Sequence, residues 1–494
     1  PPVFSYPYPG YSSFKTANAN RDGIVYMGAN DGMMHAFYAQ DSSGAGSPCV
    51  IGAIAGEHCG GEEAWAYVPS MVIENMWKLA DVNYSTLHTN YVNGSPITSD
   101  ICVANCTDDA TAVWKTIMVA GLNGGGRGYY ALDITDPASP ALLWEFTTSS
   151  GIGAVKDDDL GYSFGHPIIT RKQDGTWVVL VTSGYNNTSP GTGKGFLYVL
   201  NAATGAIISK IGTGVGSTTT PSGFSHIVGW NDEPAGNLAG YVYGGDLLGN
   251  VWRFDINSTV DGSVASGEIG KGDVMLFATL KDSLGVAQPV TTTPVLGKIN
   301  EKRVIFVGTG KYLETSDLTT TQTQSIYAIK DDDASSTLVN ARNSLIHQTL
   351  ANNIDGSATR TSGNVAVNFY SDRGWYIDLP DSGERVNIDS TLVQGTLIVP
   401  TIVPSNTACS PGGYGWVNYL DYKTGGAVDV STSLVSEKMD STIVGVNVLY
   451  IGGVPKVGVV TSTNPTPTLV DAVAFAANAP VFTGKRVIWR ELIP

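Results

Sequence analysis

The chain has 494 residues and 42% hydrophobic side chains, enough for one large repeat domain or two to three ordinary ones. Its 28 Lys and Arg against 44 Asp and Glu give a net charge of −16, which would repel nucleic acid and disfavours an acidic membrane surface. No apolar run approaches the roughly eighteen residues of a membrane span, while 59 glycines and only 15% charged residues suit many short strands joined by tight turns.

The first stretch, PPVFSYPYPGYSSF, is rich in Pro and Tyr and carries no signal-peptide pattern. Residues 1–20 read as an extended lead-in, the start expected of a mature product or of a fragment whose upstream part is missing. Residues 21–494 read as a single domain. RDGIVYMGANDGMMHAFYA, from Arg21 to Ala39, places an Asn-Asp-Gly turn between two apolar runs and predicts a β-hairpin. Its layout returns in GYVYGGDLLGNVWRFDI, Gly240 to Ile256, and its second half in FLYVLNAATG and GRGYYALDITDP.

A Gly-rich loop follows at 40–63. Ser70, read as an N-cap, and the spacing of Val72, Ile73, Met76 and Leu79 predict one short helix over 71–80. A cysteine-containing insertion is expected at about 40–110. The hairpin at 114–134 contains a glycine cluster like GxGxxG, but a strand pattern follows it, so the glycines are turn residues. Leu143 and Trp144 are expected to start the next sheet. Strands continue at 160–171, 177–186, 196–211, 241–256, 303–309, 326–330, 365–378, 393–403, 416–422, 443–463 and 486–491. This makes roughly six to eight four-stranded units, the arithmetic of a β-propeller. The last strand, Arg486 to Leu492, is expected to close the ring in the same blade as the first.

Five cysteines are present: Cys49, Cys59, Cys102, Cys106 and Cys409. In an exported chain the first four form two local disulfides, Cys49–Cys59 and Cys102–Cys106. A zinc site from these four with His58 nearby is the rival, although neither spacing is a C-x2-C knuckle. Cross-pairing also remains open.

The six histidines are scattered and form no HExxH or His-x-His pattern, and no GxSxG occurs. His35 reads as a structural hydrogen-bonder. Asp31, Asp133, Asp246 and Asp255 sit at turns, where their carboxylates accept backbone N–H bonds. Asn18-x-Asn20-x-Asp22-Gly23 reads as a plain turn. The acidic runs Asp157 to Asp159 and Asp331 to Asp333 read as solvated loops.

Taken together, GANDGMMHAF, AYVPS, GRGYYALDITDP, LGYSFGHP, GGDLLGNVWRFD, GTGKYL and KRVIWREL, in that order, resemble the C-terminal domain of the PilC/PilY-type proteins. These are tip-associated adhesins and assembly factors of bacterial type IV pili. The resemblance covers about residues 10–494. It implies an all-β, modified, quinoprotein-like β-propeller of about seven blades with one short helix and long loop insertions. It also implies an exported, non-catalytic protein at the cell surface, pilus tip or outer membrane. Its partners would be minor pilins at the tip, where it opposes retraction, and a host or surface receptor.

The family often carries a calcium loop, D-x-D-x-D-G-x-x-D, before the strand that leads into GDLxGN. Here that loop falls on Asp232 to Gly240 and reads DEPAGNLAG. Asp232 matches the first ligand, while Pro234, Gly236 and Gly240 stand where the other carboxylates belong. Asp232, Glu233 and Asn237 are the candidate metal ligands left. They are a poor set for a cation that takes six to eight oxygens, so the site is expected to be absent or rebuilt. LDITDP and LNAATG also echo the quinone-dependent dehydrogenases, but no adjacent cysteine pair is present and no quinone is expected. A glycan-binding propeller using Tyr185 and Tyr414 is the third reading.

Overall fold

A computed structural model describes residues 7–42, 57–84, 86, 88–149, 155–233, 237–261, 268–333, 335–353, 358–405, 412–428, 434–451 and 454–470. Apart from two short α-helices and three 3₁₀ turns, the regular elements of the described residues are strands. The fold is a β-propeller of seven successive antiparallel units.

The first sheet holds Ile24–Gly28, Met34–Tyr38 and Glu63–Tyr67. Its hairpin pairs Gly28 with Met34 and Ile24 with Tyr38, so the Asn-Asp-Gly turn lies between them. The second sheet runs Ile97–Ala104, Val113–Gly121, Gly128–Asp133, Ala141–Thr147, with Val155–Lys156 added at its edge. The third and fourth units, Ile168–Gly216 and Ile227–Thr279, share one eight-stranded sheet through a parallel contact of Leu238 with Arg171. The fifth and sixth sheets interleave: Ile346–Gln348 pairs in parallel with Gly374–Asp378 of the fifth, and Leu350–Asn352 already belongs to the sixth. The seventh holds Ile443–Ile451, Val454–Thr461 and Asn464–Val470.

Alternation along the strands feeds apolar side chains into the spaces between sheets. Trp114, Trp144, Phe146 and Tyr129 of the second sheet meet Trp177, Val179 and Tyr198 of the third. Tyr243 and Phe277 of the fourth meet Ile305 and Tyr327 of the fifth.

Four expectations need correction. Residues 1–20 are not an extended lead-in throughout, because Tyr11–Ala17 is a helix. Long-range partners hold it there: the Tyr11 hydroxyl donates to Asp100 at 2.8 Å, its ring lies 4.8 Å from that of Trp114, and Trp114 Nε1 donates to the Pro9 carbonyl. The helix expected at 71–80 splits into Ser70–Ile73 and a 3₁₀ turn at Met76–Ala80, and Pro69 precedes its first residue in place of a side-chain cap. The stretch 40–110 is not one insertion, since it supplies the third strand of the first sheet and the first strand of the second. Leu143 and Trp144 do not start a new sheet but lie in the fourth strand of the second: Trp144 pairs with Ala131. The closing strand expected at Arg486 to Leu492 lies outside the described residues.

Candidate functional site

The candidate metal loop lies in a hairpin that pairs Asn231 with Ala239 and Glu233 with Leu238. Asn237 takes the left-handed conformation, φ 49°, and is buried. Its carbonyl accepts from Arg171 N and Thr170 Oγ1, and its Nδ2 donates to the Ile169 carbonyl at 3.1 Å. Asn237 therefore ties the fourth unit to the third. Asp232 and Glu233 lie in the strand Ile227–Glu233; their side chains lie outside the described residues, as do residues 234–236. Among the described residues, no three His, Cys, Asp or Glu side chains gather as a cation would need.

The two acidic runs are solvated only in part: Asp158 and Asp333 are exposed, but the others are drawn into ion pairs. Lys210 bridges Asp157 at 2.8 Å and Asp159 at 2.7 Å, with Lys210 and Asp159 both buried. Burial opposes ionisation of Asp159, but hydrogen bonds from Lys210 and Thr192 outweigh it and hold that carboxyl below the usual range. Asp331 is equally buried and accepts from Arg253 at 2.8 Å and from the Tyr243 hydroxyl at 2.5 Å. These are inter-strand ties, and their cations are protein side chains.

The turn carboxylates act as read. Asp31 accepts from Met33 N, Asp133 from Thr135 N, and Asp255 from Asn257 N, each at 3.0 Å or less. Asp246 accepts from Leu248 N, Asn250 N, Asn250 Nδ2 and Trp252 Nε1, all at 2.9 Å. His35 bridges Asp31 at 2.9 Å and Glu63 at 2.6 Å. Cys102 and Cys106 form a disulfide, with 5.8 Å between their Cα atoms. Cys59 is also disulfide-bonded, while Cys49 and Cys409 lie outside the described residues.

From the first sheet to the sixth, main-chain and short side-chain links pass from one sheet to the next. Asn30 accepts from Tyr91 N, Asn123 donates to the Asn93 carbonyl, and Ser163 Oγ accepts from Leu122 N. Tyr162 and Tyr185 exchange backbone bonds at 2.8 and 3.2 Å. Gly184 then bonds Phe224, Leu247 bonds Ser222, Val290 bonds Asp246, Gly310 bonds Pro289, and Val386 bonds Thr309. Two glycines make the closest step feasible. A Cβ on Gly161 would lie 2.2 Å from the Tyr185 carbonyl oxygen, and Gly184 has φ +65° with the Tyr162 oxygen 2.1 Å from where its Cβ would stand.

Beside this ring lies a cleft of about 330 Å³. Phe164, Tyr185, His226, Thr291, Tyr312, Asn387 to Asp389 and Val444 to Val446 line it. Two buried polar atoms there lack hydrogen-bond partners: His226 Nδ1 and Asn387 Oδ1. Burial holds the His226 imidazole below its ordinary value, against the opposing pull of Asp389.

The family model described as the PilY1 beta-propeller domain matches residues 4–362. The chain belongs to this family. The type IV pilus biogenesis factor PilY1 of Pseudomonas aeruginosa strain PAO1 is 32% identical over 459 residues, which is 85% of this chain and 36% of that protein. A PilY1 homolog of Xylella fastidiosa strain Temecula1 is 32% identical over 490 residues, 96% of this chain and 34% of that protein. The chain thus spans about a third of the length of these relatives. The crystal structure of the P. aeruginosa PilY1 C-terminal domain superposes with a TM-score of 0.66 at 27% identity, covering 93% of this chain and 95% of that one.

Four of the seven motifs that carry the PilY1-type resemblance lie along these inter-sheet links. Asn30 belongs to GANDG, Gly161 to Ser163 open LGYSFGHP, Asp246 and Leu247 belong to GGDLLGN, and Gly310 to GTGKYL. Sequence reasoning singled out Tyr185, but it missed Asn387 and Asp389. No local pattern marks those two; only the packing of distant segments brings them to the same cleft as His226.

Proposed function

We propose that this chain is the propeller portion of an exported, non-catalytic type IV pilus biogenesis factor. It acts at the cell surface, at the pilus tip or outer membrane, where it caps the minor pilins, opposes retraction and contacts a host or other surface. The observation that carries this reading is the alignment with the PilY1 C-terminal domain over 93% of this chain and 95% of that one. No helix of the described residues is long and apolar enough to cross a membrane. The seventh sheet supports a binding role: Val444 and Tyr450, on its strand Ile443–Ile451, are 58% and 57% exposed. That strand is an edge that a partner strand can extend by main-chain hydrogen bonding.

The test replaces the C-terminal domain of the P. aeruginosa relative with this chain and counts surface pili. Restored piliation, with minor pilins co-purifying, is expected. A chimaera that is exported and stable yet leaves cells without pili would overturn the reading.

A further inference from the structure

We propose that the cleft between His226 and Asp389 is a binding site for a basic side chain, an arginine presented by a partner polypeptide. The residues lining it include one carboxylate, Asp389, and no Lys or Arg. Its groups come from seven separate segments of the chain, at Phe164, Tyr185, His226, Thr291, Tyr312 to Leu313, Asn387 to Asp389 and Val444 to Val446. At about 330 Å³ it falls at the lower end of the range of ligand pockets, roughly 300–1,000 Å³.

The chemistry of the lining selects the ligand. Asn387 Oδ1 is an acceptor that makes no hydrogen bond, although it is buried. Asp389 already accepts from Thr293 N at 2.9 Å and from Thr293 Oγ1 at 3.0 Å. These two bonds fix its orientation and leave each oxygen a further lone pair. The neighbouring imidazole of His226 lies 6.4 Å from that of His166 and 6.4 Å from the Tyr185 ring, centroid to centroid. Phe164 stacks obliquely on Tyr185 at 5.6 Å. A buried acceptor, an oriented carboxylate and aromatic faces make up the environment that favours a planar cation rich in N–H donors. The chain's net charge of −16 would draw such a group in. A neutral polyhydroxylated ligand would use the aromatic faces but gain little from the single negative charge.

The assignment rests on the cleft and not on the pilus reading, and the test reads binding to this chain alone. The probe is Nα-acetyl-arginine methylamide, compared with its neutral citrulline isostere and with glucose, followed through the His226 imidazole signals by NMR. Arginine should shift these signals saturably, with citrulline at least about tenfold weaker. Asp389→Asn keeps an acceptor for Thr293 N and should weaken arginine binding by a similar factor without lowering the melting temperature. Asn387→Ser serves as the second variant and should also weaken it. Equal binding of arginine and citrulline, stronger binding of glucose, no saturable shift, or full binding by both variants would each overturn the proposal.

Discussion

Arg360 and Glu384 form a two-pronged ion pair sealed from solvent, with both N–O distances at 2.8 Å and relative exposures of 0% and 1%. Asp381 takes a third contact from Arg360 at 2.9 Å, Thr401 donates to Glu384 at 2.6 Å, and the guanidinium lies 3.8 Å from the centroid of the Trp416 ring. Removing one partner leaves the other buried and uncompensated. Arg360→Met should therefore lose about 3–5 kcal/mol, and the double variant Arg360→Met, Glu384→Leu should recover part of it. Urea unfolding of the three proteins checks this. A single variant with the wild-type midpoint would show that the pair contributes nothing.

Asp246 is the hub of the GDLLGN turn, and burial raises its carboxyl above the usual range despite the donors around it. Asp246→Ala removes all five acceptor contacts, that from the Ser222 hydroxyl included, and leaves Trp252 Nε1 unpaired in the core. The expected loss is at least about 3 kcal/mol, since bonds to charged groups contribute roughly 1.5–3 kcal/mol each and do not add fully. Asp255→Ala, which loses a more exposed turn bond, should cost about 1 kcal/mol or less. Equal midpoints for the two variants would contradict this ordering.

His35 supplies a pH-dependent term. Burial lowers its basicity, but hydrogen bonds to Glu63 and Asp31 outweigh that and hold the imidazole above its ordinary value. A raised folded-state value means the native state keeps the proton longer than the unfolded chain. The contribution is therefore complete below the unfolded value of about 6.5 and fades as pH rises through the folded one. Solvent screening keeps it under about 1 kcal/mol. Wild type should lose stability relative to His35→Gln between about pH 5.5 and about pH 8.5. Parallel unfolding curves at the two pH values would remove this role.

The Cys102–Cys106 bridge spans a sequence separation of 4. A loop that short constrains the unfolded chain only modestly, so Cys102→Ser with Cys106→Ser should cost about 2 kcal/mol. Chemical denaturation with and without reductant measures it. A difference near zero would assign the bridge to local loop geometry alone.

We expect the rebuilt loop at Asp232 to Gly240 to leave the chain without calcium control. Thermal melts in calcium and in chelator should coincide, and metal analysis of the purified chain should find less than one equivalent. A melting temperature raised by calcium would restore the family's metal site to this chain.

The parts legible in the sequence were local ones. Strand alternation and Asn-Asp-Gly chemistry located the first hairpin to within one residue, and the roles of Asp31, Asp133 and Asp255 followed from turn rules. Features made by distant segments were not legible. The helix Tyr11–Ala17 depends on Asp100 and Trp114, nearly ninety residues or more away. Asp331 looks like part of a solvated acidic run until the neighbouring sheet brings Arg253 and Tyr243 against it. The cleft has the same character, since His226 and Asn387 share no window of sequence.

The links that pass from Tyr162 to Tyr185 and on through Phe224, Ser222, Asp246 and Thr309 are mostly made by main-chain atoms. Such links ask almost nothing of side-chain identity beyond room for the backbones to meet. The blade faces are therefore free to diverge while the closure persists, provided the few glycines at the crossings stay. Substitutions tolerated over long divergence should accumulate on the outer strands and loops, and the crossings should be the last places to change.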